Sequence, residues 1–333
     1  MSNNRAEWMK GGLGMMVHYL ITPNGETDSE LTADFNKTLD AFDIEDFMSQ
    51  FLQTGAQWLI FTIGQNTGYY NSPNTYLDSV LPGHTSNRDL TLEIAQRVHA
   101  AGKRFIAYMP AEVMGQKEDV LDAFGWNPGD QSVFLDRYLM FVKAYSDKLG
   151  KLVDAWWFDG CYDGVHEGKW DWSRWMDAAR SGNPDSAVAL NDGAFCVGRL
   201  KPVSELQDYH AGEVHLLNEA KIVLDFVSEP DKITRDEDGS IKIDGKSPTY
   251  HMPESQFLHG VQWQALVPLD STFNPGLPED WCNYNEKDLI EFTKACTSVG
   301  GGVTYNVWIN DAGHMVDGSI AKLRAVGRAL GLV

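Results

Sequence analysis

Short apolar runs alternate with longer amphipathic segments along this chain. Eight runs have the length of a strand, and most are continuously apolar, as is typical of parallel strands buried on both faces. They cover residues 14–20, 57–63, 104–110, 153–159, 187–192, 206–211, 262–269 and 302–309. Segments with helical spacing lie between them, at residues 44–55, 87–102, 131–150, 170–181, 285–300 and 319–330. This order predicts an α/β fold, and eight such strands favour a closed (β/α)8 TIM-like barrel.

One charged stretch interrupts this alternation. It belongs to a long loop insertion at about residues 228–260, between the sixth and seventh predicted strands. Two Asp-Gly steps within it, at 238–239 and 244–245, flank a short apolar run. Asp-Gly is typical of tight β-turns, so the pattern predicts a hairpin there. The 333 residues fit a single barrel domain over 1–333 with this insertion.

The charge balance bears on the partners of the protein. The chain has 27 Lys and Arg against 47 Asp and Glu, a formal net charge of −20. Such a field repels nucleic acid and anionic membranes, and no apolar run is long enough to span a bilayer. We therefore expect neither nucleic acid nor membrane as a partner, while a homo-oligomer stays open. The N-terminal residues lack the apolar core of a signal peptide, which predicts a cytoplasmic protein.

The sequence lacks the common motifs for cofactors and metals. The four cysteines are widely spaced and form no CxxC pair, which predicts free thiols and no structural zinc site. There is no HExxH motif, and no GxGxxG follows the first predicted strand. We expect no metal and no cofactor.

Polar and aromatic residues follow the predicted strands at their C-terminal ends, where a barrel gathers its active site. Aromatic faces pack on sugar rings while amides and carboxylates bind hydroxyl groups, so this set suits a carbohydrate. The candidate sugar-binding residues are His18, Tyr19, Gln65, Asn66, Tyr70, Tyr108, Trp157, Asn191, His251 and Trp308.

The run Trp-Trp-Phe-Asp-Gly at 156–160 places a carboxylate directly after three bulky aromatic residues. At a strand end, Asp159 is positioned to act as a nucleophile or a base. The alternative is a structural aspartate that caps a helix or ties down the following loop.

Four segments of the chain resemble the α-L-fucosidases of glycoside hydrolase family 29. Residues 8–19 resemble the opening strand of that family, which ends in a sugar-binding His followed by an aromatic residue. Residues 55–62, 88–90 and 101–108 resemble its second and third βα units, 156–160 the segment with the nucleophilic Asp, and 298–306 with 317–320 the closing strand and helix. The resemblance implies a retaining exo-glycosidase in which Asp159 is the nucleophile and His18 contacts the sugar.

The chain departs from this family in two places. The fucosidases carry a sugar-binding His-His pair after the second strand, where this chain has Ile-Gly-Gln-Asn-Thr-Gly-Tyr-Tyr at 63–70. An amide-rich loop presents different donors and acceptors, so the resemblance does not fix L-fucose as the sugar. Those enzymes also usually add a C-terminal β-sandwich, and no such segment follows the last predicted helix here.

A retaining glycosidase needs a second carboxyl as acid and base. We predict Glu213, which lies where the sixth predicted strand ends, although an acid at a helix N-terminus is its ordinary structural role. Asp163, Glu167, Glu229 and Glu254 are the other candidates.

Two further functional interpretations stay open. The loss of the His-His pair is compatible with a catalytically silent carbohydrate-binding barrel. A barrel lyase or isomerase for acidic sugars ranks last, because the net charge of −20 disfavours anionic substrates.

Overall fold

A computed structural model describes residues 4–193, 201–213, 254–270 and 284–333, together with the backbone of 233–235 and 241–243. Two candidate site residues, His251 and Glu229, lie outside the described residues, as does most of the predicted insertion at 228–260.

Seven parallel strands form the main sheet. They are β1 (Leu13–Val17), β2 (Trp58–Thr62), β3 (Arg104–Pro110), β4 (Ala155–Asp159), β5 (Ala187–Leu190), β10 (Gln264–Pro268) and β11 (Gly302–Val307). Their spatial order is β10-β11-β1-β2-β3-β4-β5. All pairs are parallel and follow the chain order of a TIM-like barrel, so the α/β prediction is confirmed.

Two short antiparallel hairpins lie between β5 and β10 in the sequence. One joins β6 (Ile233–Arg235) to β7 (Ile241–Ile243), and the other joins β8 (Phe257–Leu258) to β9 (Val261–Gln262). The first is the predicted hairpin, because β7 is the short run between the two Asp-Gly steps. The second was not predicted.

Ten helices surround the sheet among the described residues. They are α1 (Asp28–Asp40), α2 (Ile44–Gln53), α3 (Thr75–Val80), α4 (Leu90–Ala100), α5 (Glu118–Phe124), α6 (Ser132–Leu149), α7 (Asp163–His166), α8 (Trp172–Ala179), α9 (Glu286–Ser298) and α10 (Asp317–Ala329). The six predicted helices correspond to α2, α4, α6, α8, α9 and α10. Side chains cap several N-termini: Asp43 accepts hydrogen bonds from two backbone N–H groups of α2, and Asp89 accepts one from α4. No described helix combines the length and apolar character that a membrane span requires.

The predicted sixth strand, residues 206–211, is not a strand. The segment is irregular and makes only isolated bridges, from Tyr209 to Gln262 and from Glu213 to Leu266. Gly212 adopts a left-handed φ of 73° and lies so close to β10 that a Cβ there would be 2.1 Å from the Gln264 carbonyl oxygen. The backbone therefore cannot continue a regular ladder, and the eight-strand prediction is corrected to seven strands in the main sheet.

This irregular segment nevertheless spans the gap between β5 and β10. On one side the Asp208 N–H donates to the Val188 carbonyl, and the Val188 N–H donates to the Asp208 side chain, both at 2.8 Å. On the other side the Leu266 N–H donates to the Gly212 carbonyl at 2.7 Å. Asp208 also binds Arg180 at 2.6 Å and Arg5 at 3.5 Å. One carboxylate thus takes over part of the hydrogen bonding of a missing strand.

The buried apolar residues divide into two groups on opposite faces of the sheet. The larger group fills the layer between the sheet and the helices. The smaller group fills the interior that the curved sheet encloses; it includes Met16, Trp58, Ile106, Trp157 and Leu266. In that interior the Trp58 indole N–H donates to Thr304 at 2.8 Å. Gly14 permits this placement, because a Cβ at position 14 would lie 1.9 Å from the indole nitrogen.

Glu112 is an acid buried shortly after β3. Its carboxylate accepts a hydrogen bond from the Met114 N–H, and its Cγ lies 2.8 Å from where a Cβ on Gly160 would stand. Burial, together with the charge of Asp159, raises the pKa of Glu112 to about 7.

We predict that Asp208→Ala destabilises the fold by about 3 kcal/mol, because it removes the carboxylate that binds the Arg180 guanidinium and the Val188 N–H. The measurement is the free energy of unfolding in urea. Asp177→Ala, at an exposed position of α8, is the control and should cost less than about 0.5 kcal/mol. Equal effects of the two substitutions would contradict the role of Asp208 in holding the irregular segment to β5.

We also predict that Glu112→Gln changes how stability depends on pH. A raised folded-state pKa means that the protonated acid favours folding below the ordinary value of 4.5, and that this stability is lost as the pH rises through about 7. Glutamine resembles the protonated acid and keeps the bond from Met114. Unfolding in urea at pH 5 and pH 8 should show the variant gaining stability relative to the unsubstituted protein as the pH rises. A difference that does not change with pH would contradict this.

Candidate active site

Four carboxyl or amide side chains meet where the main sheet ends at its C-terminal edge. Asp159 is the last residue of β4, Asn191 follows β5, and Gln65 lies three residues after β2. Glu213 belongs to the irregular segment and reaches the same edge through its bridge with Leu266. The end of β4, the connections after β2 and β5, and the irregular segment thus contribute one residue each.

Asp159 is the centre of this cluster. It is buried, with 8% of its surface exposed, and it accepts three hydrogen bonds. The Gln65 amide and the Tyr108 hydroxyl both donate to Oδ2 at 2.6 Å, and the Asn191 amide donates to Oδ1 at 2.7 Å. An ionised carboxylate offers about four acceptor positions. Oδ2 is therefore saturated, while Oδ1 keeps one position for another group.

Asn191 joins Asp159 to Glu213. Its Nδ2 donates to Asp159 Oδ1 and to Glu213 Oε2, each at 2.7 Å. The two carboxylate oxygens are consequently no farther apart than twice that distance. The carboxyl groups of retaining glycosidases are about 5–5.5 Å apart, and this upper limit does not exceed that range.

His18 completes the cluster on the other side of Asp159. The residue follows β1, and its Nε2 lies 2.5 Å from Gln65 Oε1. Its ring packs against Tyr108 with centroids 5.1 Å apart, and Tyr108 stacks in turn on Trp157 at 4.8 Å. The Trp157 indole N–H donates to the Ala211 carbonyl, so Trp157 forms part of the floor below the acids.

Burial and nearby charges raise the pKa of two residues in the cluster and lower the pKa of a third. Burial raises the pKa of Asp159, as does the negative charge of Glu213, while the donors Tyr108 and Asn191 and the nearby His18 oppose this rise. Burial lowers the pKa of His18, which favours the neutral imidazole despite the neighbouring acids. Burial, followed by the charge of Asp159, raises the pKa of Tyr108 well above its usual value, so its hydroxyl stays a donor.

Further acids border the cluster. Glu112 was not identified from the sequence, although it is the first acid after the third predicted strand. Asp192 is half-buried next to Asn191, and its pKa is raised to about 6, mainly by burial. Among the described residues, no three His, Cys, Asp or Glu side chains are arranged to hold a metal ion.

The remaining sequence candidates lie in other places. Tyr19 packs on Phe42 and Phe61 in the outer core. Tyr70 is also buried in that layer, against Phe141, so the structure does not bring these two tyrosines to the cluster.

Two candidates lie on loops beyond the strands. Asn66 is exposed next to Gln65 with a left-handed φ of 50°. Trp308 follows β11 and is half-buried, and its backbone N–H is bound by Asp270.

The alternative acids differ from Glu213 in their surroundings. The Asp163 side chain is 84% exposed, and Glu167 forms an exposed ion pair with Lys169. Glu254 is also exposed. Among the described alternatives to Glu213, none shares a hydrogen-bond donor with Asp159.

No family model and no curated protein matches the sequence. Solved structures do match the fold. An endo-fucoidan hydrolase of glycoside hydrolase family 107 has a TM-score of 0.65 at 15% identity, over 97% of this chain and 53% of its own; this chain thus spans about half of that protein. α-L-Fucosidase isoenzyme 1 from Paenibacillus thiaminolyticus has a TM-score of 0.63 at 16% identity, over 98% of this chain and 75% of its own.

A third match is the α-L-fucosidase AlfC in complex with Fuca(1,6)GlcNAc. Its TM-score is 0.61 at 13% identity, and the match covers 99% of this chain and 98% of that protein. At these identities the comparisons establish a shared fold. The resemblance to α-L-fucosidases that the sequence motifs indicated is therefore also found in the fold.

Proposed function

We propose that this protein is a retaining glycoside hydrolase that removes a terminal sugar. Asp159 is the nucleophile and Glu213 is the acid and base. The observation that carries the proposal is the single Asn191 amide that donates to both carboxylates. The fold shared with α-L-fucosidases and fucoidan hydrolases is independent support.

The hydrogen bonds indicate how the charge is divided between the two acids. Two carboxylates this close repel each other, and the charge of Glu213 adds to burial in raising the pKa of Asp159. Three donors point at Asp159 and favour its ionised form. The first step requires Asp159 to be ionised and Glu213 to carry a proton.

In the first step, Asp159 Oδ1 attacks the anomeric carbon while Glu213 gives its proton to the glycosidic oxygen, and the bond between that carbon and oxygen breaks. In the second step, Glu213 takes a proton from water, and the water oxygen displaces Asp159 from the same carbon. Two displacements return the original anomeric configuration. Oδ1 is the reacting oxygen because Oδ2 is saturated by Gln65 and Tyr108.

The charges around the site support a neutral glycoside as substrate. Asp192, with a pKa of about 6, and Glu112 above its pKa of about 7 add negative charge near Asp159, and the whole chain has a net charge of −20. This field stabilises the positive charge that develops on the sugar ring and repels anionic glycans. The loop at 63–70 replaces the His-His pair of the fucosidases, so the sugar is to be identified with a panel of aryl glycosides that includes the α-L-fucoside.

We predict that Asp159→Asn lowers kcat at least about 1,000-fold, because the amide cannot attack the anomeric carbon. Asp163→Asn, an exposed acid just beyond β4, is the matched control and should keep normal turnover. Asp159→Gly with added azide should produce a glycosyl azide of inverted configuration, because azide enters from the face that the carboxylate occupied. Full turnover of Asp159→Asn would exclude this nucleophile. Sugar binding without turnover by the unsubstituted protein would instead favour the silent carbohydrate-binding barrel.

We predict that the effect of Glu213→Gln depends on the leaving group. Glycosides with poor leaving groups need the proton, so their kcat/KM should fall about 100-fold or more, while an activated aryl glycoside should lose far less in the first step. Glu167→Gln is the control. A uniform loss over all leaving groups would argue against Glu213 as the acid.

A further inference from the structure

We propose that Gln65 is a positioning residue that aligns Asp159 and fixes the tautomer of His18, a role distinct from the sugar contact expected from its sequence position. The proposal rests on the proposed function for its kinetic consequences. Its structural part concerns the protein without any substrate.

The Gln65 side chain bridges two functional groups. It is buried, with 8% of its surface exposed, so it offers little area to a ligand. One end of its amide lies 2.6 Å from Asp159 Oδ2, and the other lies 2.5 Å from His18 Nε2. Both ends of the amide are therefore occupied by neighbouring side chains.

The chemistry of the neighbours determines the orientation of this amide. An ionised Asp159 only accepts hydrogen bonds, so the Gln65 NH2 group must face it. Gln65 Oε1 then faces His18, and an oxygen can only accept. His18 must therefore donate from Nε2, and in the neutral ring favoured by burial Nδ1 then carries no proton. The ionised nucleophile thus sets the histidine tautomer through one amide.

The same contact extends a chain of hydrogen bonds across the site. It runs from His18 through Gln65 to Asp159, and from there through Asn191 to Glu213. The two amides stand on opposite sides of Asp159 and bind different oxygens. Gln65 together with Tyr108 saturates Oδ2, which leaves Oδ1 as the reacting oxygen. Removing Gln65 should release this constraint.

The kinetic test uses Gln65→Leu, which keeps approximately the size of the side chain and removes both hydrogen bonds. Loss of a donor to a charged carboxylate should lower kcat about ten- to hundredfold and leave KM within about twofold. Because the charged form of Asp159 loses a donor, the acidic limb of the kcat/KM profile should move to higher pH by about one unit or more. Gln53→Leu, the same change at an exposed position of α2, is the control. A raised KM with an unmoved acidic limb would show a sugar contact and overturn the proposal.

The second test is independent of catalysis. Nitrogen-15 NMR of the histidine rings in the unsubstituted protein should show His18 with its proton on Nε2. Gln65→Leu removes the acceptor for His18 Nε2, so the preference for a proton on Nε2 should be lost in that variant. A proton on Nδ1 alone in the unsubstituted protein would overturn the proposed orientation of Gln65. The expected His18 spectra in a protein that turns over no glycoside would leave the positioning role intact and remove only the proposed function.

Discussion

The arrangement of the site depends on one amide group held between two acids. Asn191 Nδ2 donates to Asp159 and to Glu213, and its two hydrogens hold the two carboxyl groups close together. Without such a donor, repulsion in a buried environment would drive the carboxylates apart or leave both protonated. The short separation that the proposed double displacement needs follows from this single contact. The donors on the other side of Asp159 saturate Oδ2 and leave Oδ1 as the oxygen that we propose to react.

The placement of Glu213 follows from a defect in the sheet. A regular strand at 206–211 would carry its hydrogen bonds on the backbone alone. Here the Asp208 carboxylate replaces one backbone acceptor, and Gly212 approaches β10 too closely for any other residue. The segment bends after Ala211, and Glu213 makes its bridge to Leu266 at the edge where β4 and β5 end. The irregular segment therefore brings Glu213 next to Asp159.

Much of the fold could be predicted because continuous apolar runs identify parallel strands well. The sixth strand failed because the left-handed backbone of Gly212 and the side-chain acceptor of Asp208 are tertiary features with no periodic signal. Helix α1, which was not predicted, carries a local signal: Thr27 and Glu30 form a capping box, and Phe35 and Leu39 are its buried residues. Its acidic, weakly apolar sequence hid that signal.

How much of the site could be predicted from the sequence differs from residue to residue. Asp159 could be identified because aromatic residues run directly into it at a strand end. Tyr19 could have been placed in the outer core by alternation, since His18 before it faces the site. The bridging geometry of Gln65 could not be predicted, because it depends on how the ends of β1, β2 and β4 meet in space. The most direct test of the account is to inactivate the protein with a 2-deoxy-2-fluoro glycoside of its preferred sugar and sequence the labelled peptide by mass spectrometry. We expect one covalently bound sugar, attached to Asp159; a sugar on another residue, or turnover with inverted product and no covalent label, would contradict Asp159 as the nucleophile.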